Sequence, residues 1–226
     1  MKEASKTKEI RAKDFEQRYL QGRVLDIGAG TDPVCATAVV FDQQHGDANH
    51  IDRYYGPETF DTVHSSHCLE HMQNPVAALS AWWTLVKPGG YMVIVVPDEE
   101  LYEQGIWPSF FNRGHISTFR LNKADGITPV SYDIAELCKA LPKAQVISAK
   151  IQDAGFNREL IFPSGQRPRR LRHPVKLVAS IVKRIGEFEA PIRVTFNKWL
   201  VRHGYPVDQT LGRALAQIEV IIKKER

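Results

Sequence analysis

A short apolar run that ends in two closely spaced glycines, Arg23-Val-Leu-Asp-Ile-Gly-Ala-Gly-Thr-Asp-Pro33, constrains the fold more than any other stretch. Its apolar residues favour a β-strand. Gly28 and Gly30 allow a sharp turn in which a ligand can approach the backbone closely. Asp26 lies inside the apolar run, where a carboxylate is unfavourable unless a partner binds it. The stretch predicts a strand and turn that bind hydrogen-bond donors, such as an amino group or a ribose, although an ordinary βα turn also fits.

The glycine turn does not match the two commonest nucleotide-binding motifs. The dinucleotide fingerprint G-x-G-x-x-G needs a third glycine where this chain has Pro33. A phosphate loop needs Gly-Lys-Ser/Thr after the turn, and the sequence has no such triplet there. Asp32 and Pro33 instead suit the N-cap and first position of a helix, so we expect a short helix near 33–36.

A second apolar run, Thr37-Ala-Val-Val-Phe-Asp42, ends in an acidic residue and predicts a second strand. In a doubly wound sheet the end of this strand lies beside the ribose of a nucleoside ligand, where a carboxylate can accept hydrogen bonds from both ribose hydroxyls. Asp42 is therefore a candidate ribose ligand, with the alternative that it caps a helix or a turn.

The segment Phe60-Asp-Thr-Val-His-Ser-Ser-His-Cys-Leu-Glu-His-Met72 contains a predicted strand, a helical turn and three histidines. His67 and His71 are spaced to share one helix face, which is typical of metal ligands. However, His64 lies in the strand, and no set of cysteines or carboxylates completes a site. We therefore expect no metal here.

Three segments, in order along the chain, resemble motifs of class I S-adenosylmethionine-dependent methyltransferases, in the branch that acts on small molecules and sugars. They are Leu25-Asp-Ile-Gly-Ala-Gly30, the pattern F-D-x-V-x-S-x-x-x-L-E-H over 60–71, and Leu85-Val-Lys-Pro-Gly-Gly90 before an apolar strand. The resemblance covers roughly residues 20–152 and a last strand at 217–223. It implies an α/β fold with a doubly wound, seven-stranded, mostly parallel sheet, the Rossmann-like methyltransferase fold.

The resemblance also implies where S-adenosylmethionine and its product S-adenosylhomocysteine would bind. The residues implied for the methionine part are Asp26, Gly28, Gly30, Ser65 and Ser66. Asp42 would hold the ribose. Gly46-Asp47-Ala48 resembles the adenine-contacting segment, in which Asp47 would accept from the exocyclic amine and the Ala48 N–H would meet the ring. A plain turn residue is the alternative for Asp47.

The loop 97–119 is rich in aromatic residues and contains His115. Aromatic residues beside a cofactor can form an acceptor pocket and exclude water, although a loop packed on the core also fits. Gly114-His-Ile-Ser-Thr-Phe119 resembles an H-x-x-x-F turn of the same branch. His115 is our first candidate for a general base, because imidazole titrates near neutral pH, and His67 is the second. A buried histidine bonded to the backbone is the alternative for His115.

Residues 154–212 form a predicted helical insertion between strands at 145–152 and 217–223, and this insertion is strongly basic. From Arg158 to Arg202 eleven Lys and Arg residues oppose three acids, a net charge of +8 in a chain of net charge +4. A helix predicted over 174–188 has an apolar and a basic side, typical of membrane-surface binding or of an anionic, phosphate-bearing acceptor. A helix packed on the core with a solvated basic face also fits. Nucleic acid is the third choice, because RNA-binding signatures are sparse.

The length of 226 residues suits a single domain over 1–226. Three distant cysteines, Cys35, Cys68 and Cys138, argue against a disulfide framework and favour a cytoplasmic protein, with peripheral membrane contact through 167–188 as an extension of the helix hypothesis. The charged N-terminal residues predict no signal peptide. We expect a frayed tail over 1–8 and a helix over 9–20.

Together these features predict an S-adenosylmethionine-dependent methyltransferase that O-methylates a hydroxyl of a sugar or other small molecule, such as a lipid-linked cell-envelope glycan. The chain would align the acceptor and remove its proton. Two alternatives remain open: a non-catalytic binding module with the same fold, and a nucleic-acid methyltransferase that uses the basic insertion.

Overall fold

A six-stranded sheet forms the centre of the protein in the computed structural model, which describes residues 3–170 and 190–226. The strands of the described residues are β1 (Val24–Ile27), β2 (Val39–Phe41), β3 (Phe60–Ser66), β4 (Val86–Pro97), β5 (Thr118–Arg120), β6 (Ser131–Asp133), β7 (Ala144–Gln152) and β8 (Gln217–Lys224). The order across the central sheet is β2-β1-β3-β4-β8-β7, and β5 and β6 form a separate parallel pair.

The central sheet is parallel on one side and antiparallel on the other. β1 pairs in parallel with β2 and with β3, and β3 pairs in parallel with β4. β8 is antiparallel to both β4 and β7. The inner strands are mostly buried because both faces of the sheet are covered. This arrangement confirms the predicted doubly wound, mostly parallel α/β fold.

Two details of the predicted fold are wrong within the described residues. The prediction of seven strands fails because the short chain between β2 and β3 forms a 3-10 helix at Ala48–Arg53 in place of a helix and a strand, which leaves β2 at the edge of the sheet. The short helix predicted near 33–36 is replaced by turns and bends. These bends carry the backbone back toward β1.

Five α-helices lie within the described residues. They are α1 (Glu3–Ile10), α2 (Phe15–Tyr19), α3 (Pro75–Thr84), α4 (Ile134–Lys139) and α5 (Ala190–Arg202). The best-defined start is that of α3, where the Asn74 side chain accepts from the Ala77 N–H at 3.0 Å and Pro75 occupies the first turn. Trp82 and Trp83 of α3 are buried in the main core.

Helix α1 corrects the expectation of a frayed N-terminal tail. Its Ala4 and Thr7 are buried, and the Gln217 amide donates to the Thr7 hydroxyl at 2.9 Å. The single helix predicted over 9–20 is interrupted at Arg11, whose side chain is 5% exposed and pairs with the fully buried Glu219 at 2.8 Å. Sequence periodicity could not show this docking because α1 is mostly polar and its partners lie at the other end of the chain.

Only part of the basic insertion is described, as 154–170 and 190–212. The described part contains α5 and two 3-10 turns, Arg158–Leu160 and Gln209–Leu211. Two of its cations are paired, Arg158 with Asp153 at 2.7 Å and Lys198 with Glu159 at 2.6 Å. The helix predicted over 174–188 lies outside the described residues. Within residues 3–170 and 190–226, no helix has the length and apolar character needed to cross a membrane.

Candidate functional site

A cavity of about 220 Å³ lies where the carboxyl ends of β1 and β3 meet. Asp26, Gly28 and Ser66 line it from these two strands and the turn between β1 and β2, and His115 lines it from the loop after β4. Ala4 of α1 closes another side. Ligands of open α/β sheets bind at this edge because the loops after parallel strands converge there.

Half of the predicted site residues line the cavity itself. The lining residues among them are Asp26, Gly28, Ser66, His67 and His115. The others surround the turn beside the cavity without lining it, namely Gly30, Asp42, Asp47, Ala48 and Ser65. The roles of both groups in binding and catalysis remain predictions.

The glycine turn has the tight geometry that the sequence indicates. Gly28 and Gly30 adopt φ of 78° and 55°, which is the left-handed region that favours glycine. A Cβ on Gly28 would lie 2.6 Å from the Cys68 Cβ, so a side chain cannot fit there. A Cβ on Gly30 would meet nothing closer than the Asp42 carboxylate at 3.7 Å. The first glycine is therefore required by packing and by backbone conformation, and the second by conformation alone.

Asp26 is 1% exposed, and both of its carboxylate oxygens have partners within the protein. Oδ1 accepts from the His64 Nδ1–H at 2.6 Å, and Oδ2 accepts from the Val34 N–H at 2.6 Å. On the far side of the imidazole, the Arg11 guanidinium donates to His64 Nε2 at 3.4 Å. The buried carboxylate thus anchors the strand, the returning bends and the N-terminal segment at one point.

Asp42 follows β2 and fixes the glycine turn. Its Oδ2 accepts from the Gly30 N–H at 2.7 Å, and its Oδ1 accepts from the Gln43 N–H at 2.7 Å. A carboxylate oxygen has a second lone pair, so these bonds leave Asp42 capacity to accept from a ribose. The link between Asp42 and Gly30 is an arrangement that the motif reading did not anticipate.

Asp47 caps the 3-10 helix Ala48–Arg53, whereas the sequence offered only a plain turn residue as the alternative to an adenine ligand. Its Oδ1 accepts from the Asn49 backbone N–H at 2.9 Å and from the Asn49 side-chain amide at 2.8 Å. These bonds favour the ionised form and hold the pKa of the carboxyl below its usual range. The Ala48 carbonyl accepts from the Trp82 indole at 2.8 Å, which attaches the segment to α3. The predicted adenine contacts of Asp47 and Ala48 are compatible with this geometry.

The two serines at the end of β3 differ sharply. The Ser65 hydroxyl donates to the Ile27 carbonyl at 3.1 Å and so braces two neighbouring strands. The Ser66 hydroxyl is buried, lines the cavity and has no hydrogen-bond partner among the described residues. A buried hydroxyl without a partner is unfavourable, so Ser66 is the serine that points to a polar ligand.

His115 is buried and held by a second carboxylate. Its Nδ1 is 2.6 Å from Glu103 Oε1, so the carboxylate orients the ring and its Nε2 faces the cavity. The Tyr102 ring packs against it with centroids 5.2 Å apart. Burial raises the pKa of the Tyr102 hydroxyl, which therefore stays protonated at neutral pH. The alternative of a purely backbone-bonded histidine is wrong for His115.

The structure adds two acids that sequence reasoning missed, Glu103 and Glu70. Glu70 lies in the 3-10 turn Leu69–His71, and its carboxylate stands among the rings of His67, His71 and His115. The available signal in the sequence is the triplet L-E-H over 69–71, which the family resemblance explains without giving Glu70 a role. The three histidines considered together in the sequence do not form one cluster, because His64 is bonded to Asp26.

The residues present fit S-adenosylmethionine as a ligand. The glycine turn leaves backbone accessible, the orphaned Ser66 hydroxyl faces the cavity, and Asp42 stands at the end of the strand next to β1. These are groups suited to an amino acid and a ribose joined in one molecule.

Comparison with known proteins agrees with this assignment. The model of a family described as a methyltransferase domain matches residues 4–123, and the chain belongs to this family. It is a class I methyltransferase that uses S-adenosylmethionine, as the motifs predicted. It is therefore an enzyme, which removes the alternative of a non-catalytic module. A comparison with curated protein sequences gave no match.

Solved structures of methyltransferases are similar to this chain at low sequence identity. A phosphoethanolamine N-methyltransferase from Haemonchus contortus, in complex with phosphomonomethylethanolamine and S-adenosylhomocysteine, is 14% identical with a TM-score of 0.50, over 93% of this chain and 51% of that one. A methyltransferase from Archaeoglobus fulgidus is 17% identical with a TM-score of 0.48, over 99% of this chain and 95% of that one.

Proposed function

We propose that the protein transfers a methyl group to a hydroxyl of a sugar or other small molecule, and that imidazoles of the cavity accept the hydroxyl proton. The observation that carries this proposal is the His115–Glu103 pair, at 2.6 Å, beside a cavity that also contains Asp26 and Gly28. An oriented, buried imidazole beside a methyl-donor site is suited to an acceptor that must lose a proton as it reacts.

The groups that would bind S-adenosylmethionine are already held in place by the chain. S-adenosylmethionine, when bound, supplies a methyl group activated as a sulfonium, so the protein must align, enclose and deprotonate the acceptor. Ser66 offers its unpartnered hydroxyl, and the glycine turn lets a ligand approach the backbone closely. Asp42 is fixed by the Gly30 and Gln43 N–H groups, so it would present its remaining lone pairs to the ribose without reorganisation.

Elements from both ends of the chain form walls of the cavity. Ala4 of α1 and Ala216 next to β8 line it, and Tyr102 lines it from the loop after β4. A low-dielectric enclosure strengthens the electrostatic contacts inside it and keeps solvent from competing with the acceptor. Aromatic and small apolar side chains beside polar groups are the usual composition of a small-molecule site.

Two imidazoles can take the proton. The Nδ1 of His115 donates to Glu103, so its Nε2 carries a lone pair on the cavity side. His67 also lines the cavity, and its Nε2 meets Gln217 Oε1 at 2.8 Å, which leaves Nδ1 as the basic nitrogen. An acceptor hydroxyl between the two rings could give its proton to His115 Nε2 or to His67 Nδ1.

The cofactor half of the proposal is tested by calorimetry with S-adenosylhomocysteine, and with NAD as a control. We expect binding that Asp42→Ala weakens by at least about tenfold, because a carboxylate hydrogen-bonded to a ribose contributes more than 1 kcal/mol. NAD should give no heat. Binding of NAD in place of S-adenosylhomocysteine would contradict the assignment of the site.

The reaction half is tested by incubating the protein with methyl-labelled S-adenosylmethionine and acceptors that offer a hydroxyl, an amine or a carboxylate on related scaffolds. O-methylation of a hydroxyl predicts label that resists mild base, because a methyl ether is stable where a methyl ester hydrolyses. The variant His115→Asn should lose about 100-fold or more in kcat, with the exposed His50→Asn as control. Transfer to amines alone would overturn the hydroxyl assignment.

The basic insertion supports an anionic or lipid-linked acceptor at the membrane surface, such as a cell-envelope glycan, and a cytoplasmic protein peripheral to the inner face. In the described part, the Arg170 guanidinium lies over the Phe110 ring at 5.2 Å, so the basic insertion contacts the loop that lines the cavity. Binding to anionic liposomes should be lost on Lys176→Glu, Lys183→Glu and Arg184→Glu together. Unchanged liposome binding would contradict the membrane proposal, and RNA binding with a steep salt dependence would favour nucleic acid instead.

A further inference from the structure

The carboxylate of Glu70 is the least satisfied polar group of the cavity. Glu70 is 1% exposed, and neither of its carboxylate oxygens has a hydrogen-bond partner within the described residues. Three imidazoles surround it instead. Its Oε1 lies 3.7 Å from His67 Nδ1, 4.0 Å from His71 Nε2 and 3.8 Å from His115 Nε2. These separations are too long for hydrogen bonds and leave space for something between the groups.

The outer partners of the imidazoles determine which nitrogen carries a proton. His71 Nδ1 lies 2.8 Å from the Gly114 carbonyl, which can only accept, so Nδ1 donates and Nε2 holds the lone pair. His115 Nδ1 donates to Glu103 in the same way, at 2.6 Å. Both Nε2 lone pairs therefore face the Glu70 carboxylate.

For His67, the outer partner that determines which ring nitrogen carries the proton is Gln217. The Gln217 side-chain nitrogen donates to Thr7 at 2.9 Å and to Gln152 at 2.6 Å, so its oxygen must be an acceptor. His67 Nε2 donates to that oxygen at 2.8 Å, and Nδ1 holds the lone pair. With neutral imidazoles, three lone pairs and one buried carboxylate thus converge with no donor among them, an arrangement that a cation at the centre would stabilise.

We infer that Glu70, His71 and His115 bind a divalent transition-metal cation such as Mn²⁺, Co²⁺ or Zn²⁺. One ligand atom from each of the three lies within 4.8 Å of the others. Ligand atoms about 2.0–2.2 Å from a common ion are about 3–3.5 Å apart, so a small inward movement of side chains completes the site. Two imidazoles and one carboxylate are a ligand set that suits these ions and leaves coordination positions open.

The surroundings of the three ligands match those of a metal site. A metal-bound histidine usually donates its other N–H to a carboxylate or a backbone carbonyl, which fixes the ring. Glu103 does this for His115 and the Gly114 carbonyl does it for His71. A Cβ on Gly114 would lie 3.1 Å from His71 Nδ1, so the glycine allows this close approach.

Backbone contacts also hold the two ligand-bearing segments together. The Glu70 carbonyl accepts from the Ile116 N–H at 2.9 Å and from the Ser117 N–H at 3.2 Å. These bonds join the 3-10 turn Leu69–His71 directly to the loop that carries His115. The ligands are therefore held on two segments whose backbones are fixed to each other.

The catalytic use of the ion rests on the proposed O-methylation, whereas ion binding itself does not. An acceptor hydroxyl that takes an open coordination position becomes more acidic, because the cation stabilises the alkoxide. The O–H bond then breaks and the proton passes to His67 Nδ1, while the oxygen keeps the electron pair as a metal ligand. With the ion bound, His115 would serve as a metal ligand and His67 as the proton acceptor.

The first test is metal binding by the full chain after treatment with a chelator. Calorimetric titration with MnCl2, CoCl2 and ZnCl2 should show one ion per chain, and bound Co²⁺ should give visible absorption bands. Glu70→Gln and His71→Gln should weaken binding by about 100-fold or more, since each removes one of three ligands. His50→Gln, an exposed histidine away from the cavity, should bind like the parent. Absence of binding, or binding that Glu70→Gln leaves unchanged, overturns the inference.

The second test separates the metal site from the methyl-transfer proposal. S-adenosylhomocysteine binding by Glu70→Gln, measured in chelator, shows that the variant is folded and that its cofactor site is intact. The inference predicts that chelator abolishes transfer to a hydroxyl acceptor in the parent protein and that added Mn²⁺ or Co²⁺ restores it, but not in Glu70→Gln. Full transfer in chelator overturns the catalytic role of the ion, whereas ion binding without transfer to any hydroxyl counts against the proposed function alone.

Discussion

The acids of two neighbouring regions, the glycine turn and the imidazole cluster, differ in whether the chain itself satisfies them. In the glycine-turn region, residues 23–47, the carboxylates of Asp26, Asp42 and Asp47 all accept hydrogen bonds from the chain itself. In the imidazole region, formed by Glu70 with His67, His71 and His115, the carboxylate accepts none among the described residues. The first region is complete without a ligand, and the second is not.

This difference in hydrogen bonding distinguishes carboxylates that are held in a fixed position by the chain from a carboxylate that needs a ligand. A carboxylate satisfied by backbone N–H groups is fixed in position and meets its ligand without reorganisation. A buried carboxylate without donors destabilises the folded protein until a ligand arrives, and such a group is retained where a ligand is expected. Removing an acid should therefore have opposite effects on stability in the two regions.

The largest effect should follow from Asp26→Ala in the glycine-turn region. The substitution removes the acceptor of His64 and of the Val34 N–H and weakens the link from His64 to the buried Arg11. We expect the free energy of unfolding to fall by about 3–5 kcal/mol, as for a broken buried pair, measured by urea denaturation. Asp32→Ala is a suitable control, because Asp32 also lines the cavity but is only partly buried, and a loss as large as that of Asp26→Ala would contradict the comparison.

A pair of substitutions distinguishes the roles of the two glycines in the turn. Gly28→Ala introduces a Cβ 2.6 Å from the Cys68 Cβ at a φ of 78°, so both overlap and backbone strain should lower stability by about 3 kcal/mol. Gly30→Ala meets only an ordinary contact at 3.7 Å, so strain alone should lower it by about 1 kcal/mol. Urea midpoints that are equal for the two variants would show that Cys68 gives way without penalty.

In the imidazole region, Glu70→Gln should raise the free energy of unfolding, whereas Asp26→Ala lowers it. In metal-free protein, the substitution removes a buried charge that has no donors, so the free energy of unfolding should rise by about 1–2 kcal/mol. Glu103→Gln is the matched variant, because Glu103 is equally buried at 1% exposure but accepts from His115, and its loss should lower stability by about 1–2 kcal/mol. Thermal unfolding in chelator compares the two, and a lower Tm for Glu70→Gln would contradict the distinction between the regions.

The smallest effect on stability should come from Asp47→Asn, because an asparagine oxygen can still accept from Asn49. The folded pKa of Asp47 lies below its unfolded value, so its contribution to stability is present at neutral pH and is lost as the pH falls through the folded pKa. The variant should therefore have the same urea midpoint as the parent at neutral pH. In acid, its stability should fall less than that of the parent. Calorimetry with S-adenosylhomocysteine then tests the adenine contact, and affinity equal to that of the parent would leave Asp47 with the capping role alone.

Sequence patterns predicted the strand and the turn of the glycine-turn region because both are encoded locally, but they predicted a helix near 33–36 wrongly and could not show the contact of Asp26 with His64, 38 residues away. Strand β1, the turn and Asp42 lie close along the chain, and apolar runs and glycines indicate such structure directly. The count of strands failed because it came from the family resemblance, whereas the segment between β2 and β3 is too short for another strand.

The imidazole region could be predicted only in part. His115 and His67 were found through their residue type, but the partners that orient them, Glu103 and Gln217, are brought close only by the fold. No spacing rule connects Gln217 with His67, which are 150 residues apart. Motif reading therefore finds groups that can react, while the structure is needed to show what they face.

The ion pair between Arg11 and Glu219 has a consequence for how the protein is made. The two residues are 208 positions apart, so on the ribosome Arg11 is synthesised long before its counter-ion exists. Until β8 emerges, neither the pair nor the bond from Gln217 that holds α1 can form, and the N-terminal side of the cavity stays open. Contacts of such high sequence separation form late in folding. A nascent chain should consequently be unable to close this side of the cavity until β8 has been released.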